Sequence, residues 1–236
     1  MNLKHQAFAN FFHLLSLAKN ESELRSHFME EAGRLFHANS WGIAFFDNNH
    51  QLTALDLKGL PERFIDQYSE IGWQADPMMS CMVEQHIPVH NLLVNSVASW
   101  KQTKVYQHLW SRYDFEHGMI APLLGQGEII GKIHFLRTKG MPGFAEEDLR
   151  SITALNTHLC VCLATLRSQS SQTSASVRTC LTKRELQIAD LVARGLNNNE
   201  IALKLGISNN GVKQALKRMF LKLNVSARSQ MVAMLR

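Results

Sequence analysis

Two reciprocal capping signals and the glycines that follow them constrain the end of this chain more tightly than any other feature. Thr182 with Glu185 three residues later forms a capping box: the hydroxyl accepts from the third helical N–H and the carboxylate reaches back to the cap. Leu181 and Leu186 stand where a hydrophobic staple packs. The first helix then runs to about Arg194, with Leu186, Ile188, Ala189, Leu191 and Val192 as its apolar side, and Gly195 takes the left-handed terminating position. Asn197 with Glu200 repeats the logic for a short helix that presents Ile201, Ala202 and Leu205 and stops at Gly206. Ser208 opens a third helix, in which Val212, Leu216, Met219, Phe220 and Leu223 form one buried stripe.

The residues outside that stripe carry the chemistry. Asn209, Asn210, Lys213, Gln214, Lys217, Arg218 and Lys222 fall on the other side of the third helix. Amides pair bidentately with adenine, and cations suit guanine edges or phosphates. Two short helices joined by a tight turn place the second in a major groove, its N-terminal residues nearest the bases. Charge agrees: residues 178–236 hold 11 Lys/Arg against 3 Asp/Glu, whereas the remainder holds 14 against 17, for a chain net of +5. A basic tail on a mildly acidic body is the asymmetry of a tethered double-stranded-DNA binder. A charge run alone more often marks a solvated face; here it coincides with three caps and two terminating glycines.

Residues 181–235 resemble the LuxR/FixJ-type helix-turn-helix. The matching motifs are Leu181-Thr182-Lys183-Arg184-Glu185, Gly195, Glu200-Ile201-Ala202, Val212-Lys213 and the run Lys222-Leu223-Asn224-Val225-Ser226-Ala227-Arg228. The resemblance implies a fourth, dimerising helix over Ala227 to Leu235, with Met231, Val232 and Leu235 as interface residues. Two positions depart from the family pattern. Gly211 stands where a threonine is usual and Ala215 where a histidine is usual, both on the helix expected to read DNA.

The 236 residues suffice for one medium domain and one small one. The boundary falls at residues 167–179, RSQSSQTSASVRT, a Ser/Thr/Gln-rich stretch without apolar periodicity and so an expected linker between domains at 1–166 and 180–236. Upstream, Phe8 to Ala18 is helical in pattern, and Asn20 with Glu23 caps a second helix to about Phe36. Strands are expected at 41–46 and 51–57, joined by an Asp47-Asn48-Asn49-His50 turn, and a helix starting at Pro61 carries Phe64 and Tyr68. A hairpin over 119–124 and 128–136 crosses Gly125-Gln126-Gly127, and a long helix covers 144–166. This order predicts an α/β/α sandwich about a five-stranded antiparallel sheet, followed by an all-α four-helix domain. The first part resembles GAF/PAS-like sensor folds and the autoinducer-binding domain of quorum-sensing LuxR proteins.

That resemblance implies a ligand site built from Phe64, Tyr68, Trp73, Asp76, Tyr106, Trp110 and Gly118. In the family an aromatic pair precedes an Asp-Pro, and the carboxylate accepts from the amide of an acyl-homoserine lactone. Phe64 replaces the usual tryptophan and has no N–H to give the lactone carbonyl. The family's second tryptophan falls near His90, and Trp110 stands where a small residue is usual, so its indole could occupy the cavity. The plainer alternatives are that these aromatics are ordinary core and that Asp76 is a helix cap before Pro77.

Other chemistry finds no support in the residues. His86 and His90 are four apart, but Pro88 interrupts the helix they would need, and neither they nor His108 and His117 complete a metal set. Cys81, Cys160, Cys162 and Cys180 show no CxxC pairing and read as reduced thiols. No nucleophile elbow, Walker loop or dinucleotide fingerprint occurs, so neither an enzyme nor a cofactor is expected. No acidic pair precedes Asp47 or Asp56, which sets aside a phosphoreceiver. No run of 18 apolar residues occurs, and the N-terminus lacks a signal-peptide pattern. The expectation is a cytoplasmic transcriptional regulator, a homodimer on a two-fold-related promoter site, with RNA polymerase or another regulator as a further partner. The alternative is an orphan regulator controlled by a protein partner, its first domain a ligand-independent dimer scaffold.

Overall fold

The computed structural model describes residues 3–47, 49 and 51–235, in two compact units, Met1–Ala164 and Thr165–Arg236. In the first unit, α1 (Leu3–Ser16) and α2 (Glu21–Leu35) precede β1 (Ser40–Phe46) and β2 (Leu52–Lys58). The α2 cap is as expected: Asn20 Oδ1 accepts from the Glu23 N–H at 2.9 Å. Asp47 shapes the turn after β1 by accepting from the N–H groups of Asn49 and Gln51, both at 2.9 Å; Asn48 and His50 lie outside the described residues. Strands β4 (Phe115–Gly125) and β5 (Glu128–Thr138) form a hairpin longer than expected at both ends. With the two-residue β3 (Val89–His90) they complete a five-stranded antiparallel sheet in the order β2-β1-β5-β4-β3.

Strand alternation separates two faces. Ile43 and Phe45 of β1, Met119, Ala121 and Leu123 of β4, and Ile133 and Phe135 of β5 are buried. Phe28 and Phe36 of the α2 region lie against Phe135, with centroids at 6.1 and 4.3 Å. The third helix of this layer is α8 (Glu146–Cys180), whose Ile152, Leu155, Leu159 and Leu163 form a fully buried stripe at helical spacing. Its His158 stacks on Phe12 of α1 at 5.0 Å, and the N–H of Leu124 donates to the Cys160 thiol at 3.2 Å. Residues 146–170 of α8 are long and apolar enough to cross a membrane by length and composition, at a mean hydropathy of 1.2. The buried stripe accounts for that apolarity as the core side of an amphipathic helix.

The segment expected as a linker is helical instead: α8 continues without a break through Cys180. Low apolar content argued against burial there, but Ser, Gln and Ala carry no helix breaker, and a formed helix propagates at little cost.

The opposite face is covered by α3 (Glu62–Ile71), the helix expected from Pro61, and by short elements that sequence periodicity did not reveal. These are a 3₁₀ turn at Trp73–Ala75, α4 (Pro77–Gln85), α5 (Asn91–Val94), α6 (Val97–Lys101), α7 (Lys104–His108) and a second 3₁₀ turn at Trp110–Tyr113. Each of α4 to α7 is opened by a side-chain cap: Asp76, His90, Ser96 and Thr103. The second unit contains α9 (Lys183–Ala193), α10 (Asn198–Leu205), α11 (Asn209–Lys222) and α12 (Arg228–Leu235), the four helices expected.

Candidate functional sites: a basic helix face and a polar-floored cavity

The four-helix head, α9 to α12, is held together by the residues that make its motifs. Thr182 and Glu185 form the complete capping box, and so do Asn197 and Glu200. Gly195 and Gly206 have φ of 84° and 63°, which an L side chain rarely adopts. Glu185 is only 5% exposed, and its Oε2 accepts from the Thr182 N–H at 2.8 Å and from Lys222 Nζ at 2.7 Å. Burial pushes this carboxyl up, but the Lys222 ammonium and the Thr182 donors outweigh it and hold it below the usual range. Arg184 donates to the Leu205 carbonyl at 2.6 Å. Arg228 reaches Asn198 Oδ1 at 3.1 Å and the Leu196 carbonyl, so the start of α12 is tied to the loop before α10.

Five of the seven expected DNA-reading residues share one exposed face of α11. Asn210, Lys213, Gln214, Lys217 and Arg218 are all exposed, at spacings of three, four, seven and eight. Two others have partners within the second unit. Lys222 is engaged with the buried Glu185. Asn209 is half-buried, and its Nδ2 donates to Asn199 Oδ1, joining the N-termini of α11 and α10. An open cleft of about 450 Å³ lies beside this contact, lined by residues 195–199, Asn209, Lys213 and Arg228. Sequence reading singled out neither Asn198 nor Asn199; their place in the first turn of a capped helix was the available signal.

The two departures on α11 take different meanings. Ala215 is buried at 5% exposure in the cluster with Val212, Leu216 and Met219, so it belongs to the packed side of α11 rather than to its exposed face. Gly211 is half-exposed; an added Cβ would meet only Ser208 Oγ, at 3.3 Å. Its N–H donates to that oxygen at 3.0 Å, completing the cap. On α12, Met231 is fully buried within the head and unavailable to a partner, Val232 is half-buried, and the Leu235 side chain lies outside those described.

In the first unit a cavity of about 520 Å³ opens between the sheet and α3–α4. Leu52, Leu55, Leu57, Leu60, Ile65, Met78, Met79, Met82, Val83, Ile120 and Ile129 make it largely apolar. Of the expected ligand residues, Phe64, Tyr68, Trp73, Asp76 and Trp110 line it. Tyr106 does not; it packs edge-on against Trp100 with centroids 6.3 Å apart. Gly118 does not either, and has a steric role: a Cβ there would lie 2.1 Å from Cη2 of Trp110. The indole occupies the space above this glycine, stacked edge-to-face on Trp100 at 4.9 Å, and leaves the cavity open beside it. His90 caps α5 by accepting from the Leu93 N–H at 3.1 Å and lies outside the cavity lining.

Asp76 is both a cap and a cavity group. Its Oδ1 accepts from the Met78 N–H at 2.9 Å and its Oδ2 from the Tyr68 hydroxyl at 3.0 Å. Burial raises its carboxyl above the usual range, although Lys132, Tyr68 and the N–H groups of Met78 and Met79 pull the other way. Burial raises the Tyr68 phenol well above its ordinary value, and the neighbouring Asp76 charge and hydrogen bond add to this.

Two residues that sequence reading missed, Lys132 and His134, stand on the same face of β5 and complete the polar floor. The Lys132 ammonium lies 5.3 Å from the Tyr68 ring centroid and 3.3 Å from Met79 Sδ. Part of the lysine surface is accessible, but onto the cavity, so desolvation lowers its pKa against the pull of Asp76. Burial first, and the Lys132 charge second, lower His134 to about 3 and keep it neutral; its Nε2 is buried without a hydrogen-bond partner among the described residues.

His86 terminates α4 in a left-handed conformation and His108 ends α7; among the described residues no set of three His, Cys, Asp or Glu is placed to hold a metal. Arg137, 4% exposed, ties β5 to its surroundings by donating to the carbonyls of Phe36, Pro142 and Gly143 and pairing with Asp148 at 3.4 Å.

Comparison with known proteins matches residues 179–235 to the bacterial regulatory proteins of the luxR family. A candidate HTH-type transcriptional regulator in the exeN 3′ region of Aeromonas salmonicida is 40% identical over 67 residues, 28% of this chain and 34% of that protein. The chain thus spans about a third of the length of the curated relative it matches. Among solved structures, SdiA of Escherichia coli is similar over 98% of this chain and 95% of its own, at 17% identity and a TM-score of 0.50. The N-acylhomoserine lactone dependent LuxR-family factor CepR2 of Burkholderia cenocepacia covers 71% of this chain and 99% of its own, at 14% identity and 0.51. A GAF domain from a Coxiella burnetii phosphoenolpyruvate-protein phosphotransferase covers 71% and 96%, at 17% identity and 0.52. These structural likenesses concern the fold: a GAF-like α/β unit followed by a helical head. The head, residues 179–235, is a helix-turn-helix domain of the luxR family of bacterial regulatory proteins.

Proposed function

We propose that this chain is a DNA-binding transcriptional regulator whose first unit holds a small amphipathic signal and thereby controls promoter binding by a homodimer. The observation that carries the reading is the separation of two unlike sites. One is an exposed cationic and amide face on a capped recognition helix; the other is an apolar cavity with a polar floor in a separate unit.

On DNA, Asn210, Lys213 and Gln214 lie toward the N-terminus of α11, where a recognition helix meets base edges, and Lys217 and Arg218 reach the flanking phosphates. A two-fold-related site would present two such faces one helical turn apart. The protein acts by binding alone, with no catalytic residues, in the cytoplasm, and contacts RNA polymerase or another regulator once on DNA.

In the cavity, the Tyr68 hydroxyl donates to Asp76 and the pair forms a polar edge against α3, while aliphatic side chains provide room for an acyl chain. The likeness in fold to CepR2, an N-acylhomoserine lactone dependent factor, supports a quorum-sensing signal of that general kind. A signal shifts the equilibrium only by its differential affinity for the DNA-competent state, and DNA raises signal affinity by the same factor. The test is DNase footprinting of the full chain on genomic promoter fragments with and without an N-decanoyl-homoserine lactone, an acyl carboxylate or a cell extract. A two-fold-related footprint whose midpoint moves with one of these is expected. Footprints indifferent to all of them would leave an orphan regulator, and none at all would sink the DNA assignment.

A further inference from the structure

The floor of the cavity holds more hydrogen-bonding capacity than the protein itself uses. Lys132 and His134 are two apart on β5, so both side chains rise from one face of the sheet, roughly 6–7 Å apart along the strand. Among the described residues the ammonium's hydrogen-bond acceptor is a thioether, Met79 Sδ at 3.3 Å, which is a weak one. Nε2 of His134 is buried with no hydrogen-bond partner among the described residues. A buried ammonium and a buried imidazole nitrogen in an apolar wall each cost free energy unless something accepts from or donates to them.

Asp76 does not fill that role. Both its oxygens are already engaged at the α3–α4 side, Oδ1 by the Met78 N–H and Oδ2 by the Tyr68 hydroxyl. Its charge lowers the cost of burying Lys132 without giving the ammonium a close oxygen. The unmet capacity therefore lies on the sheet side, facing the aliphatic wall of Leu55, Leu57, Met78 and Ile129.

From this arrangement we infer that the cavity takes an acidic amphiphile, an acyl-chain carboxylic acid whose carboxylate bridges Lys132 Nζ and His134 Nε2 while its chain lies along the aliphatic wall. A carboxylate offers two oxygens with four lone-pair directions, enough for both donors at once. The acceptors of a neutral lactone or amide head are uncharged oxygens, which cannot neutralise the ammonium. With the carboxylate in place, His134 serves in its Nε2–H tautomer and Lys132 gains a full counter-charge in a medium of low dielectric. The inference rests on the ligand-sensing reading of the cavity above and narrows the head group of the ligand.

The test compares three probes with the same ten-carbon chain on the full-length protein by isothermal titration calorimetry: decanoate, decylamine and N-decanoyl-homoserine lactone. Decanoate should bind at least about tenfold tighter than either of the others. Lys132→Met should reduce decanoate affinity by about tenfold or more and erase its lead over the lactone, with far-UV circular dichroism unchanged. His134→Leu should lower decanoate affinity by a smaller factor, and it provides a second variant should the first misfold. Lactone binding as tight as decanoate, or decanoate affinity unchanged in a folded Lys132→Met, would overturn the acid head while leaving the sensing reading intact. Tighter binding of the amine would name Asp76 as the recognising group and likewise overturn it. Failure of all three probes to bind would take down the sensing reading as well.

Discussion

Two buried carboxylates, Glu185 in the head and Asp76 in the first unit, both serve helix N-termini, yet they settle on opposite sides of the ordinary carboxylate range. Glu185 meets a full ammonium at 2.7 Å and two Thr182 donors, so its anion is over-compensated. Asp76 meets a neutral phenol and a backbone N–H, with its nearest cation turned toward a thioether, so burial wins. The head closes its polar groups on one another, as a scaffold does. The first unit leaves Lys132 and His134 around a cavity. That contrast can be attacked from both ends.

The largest expected effect concerns His134. Its folded value of about 3 lies below the ordinary value near 6.5, so the unfolded chain binds the proton first. The neutral ring is at no disadvantage above about pH 6.5, and stability is lost as pH falls from there toward 3. The shift corresponds to several kcal/mol, about 5 at most. All four tryptophans lie in the first unit, so intrinsic fluorescence reports it selectively. Fluorescence should show unfolding well before the helical signal of the head declines, and His134→Leu should remove most of this acid sensitivity. Asp76 opposes the trend, since its raised carboxyl stabilises the protonated fold as pH falls toward about 4. Coincident acid transitions of the two units would break the comparison.

Next comes the reading face. Lys213→Ala with Gln214→Ala should cost about 3 kcal/mol of specific DNA binding, on the order of a hundredfold, because both side chains are exposed and contribute only on the duplex. The melting temperature should stay put, and gel-shift titration measures the loss. Unchanged specificity would refute the assignment of α11.

Gly118→Ala is expected to destabilise the first unit by about 1–3 kcal/mol, since its Cβ would collide with the Trp110 ring. Loss of the tryptophan-detected transition at lower denaturant is the readout, and a neutral result would mean the indole moves easily. The smallest effect is Glu185→Gln, about 1 kcal/mol and confined to the head, because the half-exposed ion pair with Lys222 is lost while the glutamine oxygen can still cap the helix and packing is kept. In the native protein the Glu185 contribution is full above about pH 4.3 and declines as pH falls through its lower folded value. A head whose acid midpoint ignores this substitution would deny the carboxylate its scaffold role.

Much of the head was legible because its determinants are local. Thr182, Glu185, Asn197, Glu200, Gly195 and Gly206 act within one helical turn of themselves, and helical spacing then separates Val212 and Leu216 from Lys213 and Gln214. Legibility failed where a partner comes from afar. Nothing near Lys222 announces that it pairs with a carboxylate 37 residues earlier. Ala215 reads as a departure on a DNA helix until packing places it inside. In the first unit, Phe64, Tyr68, Asp76 and Trp110 were singled out by family pattern, and the sheet does bring them to one cavity. Tyr106 and Gly118 were drawn in by the same pattern and sit behind it. Lys132 and His134 went unnoticed because a polar residue at every second strand position is what a solvated sheet face looks like.

The sequence by itself determined where helices start and stop in the head, which side of α11 is apolar, and, before it, the first two helices, β1, β2, α3 and the β4–β5 hairpin. Caps, glycine conformations and apolar periods act over three or four residues and need no knowledge of the rest of the chain. Only the tertiary structure decided that β5 turns Lys132 and His134 beneath α3 and α4, that Trp110 lies on Gly118, and that the space beside them stays open. Those outcomes depend on strand register and on side chains tens of residues apart, where a one-residue slip would send the same lysine to the opposite face.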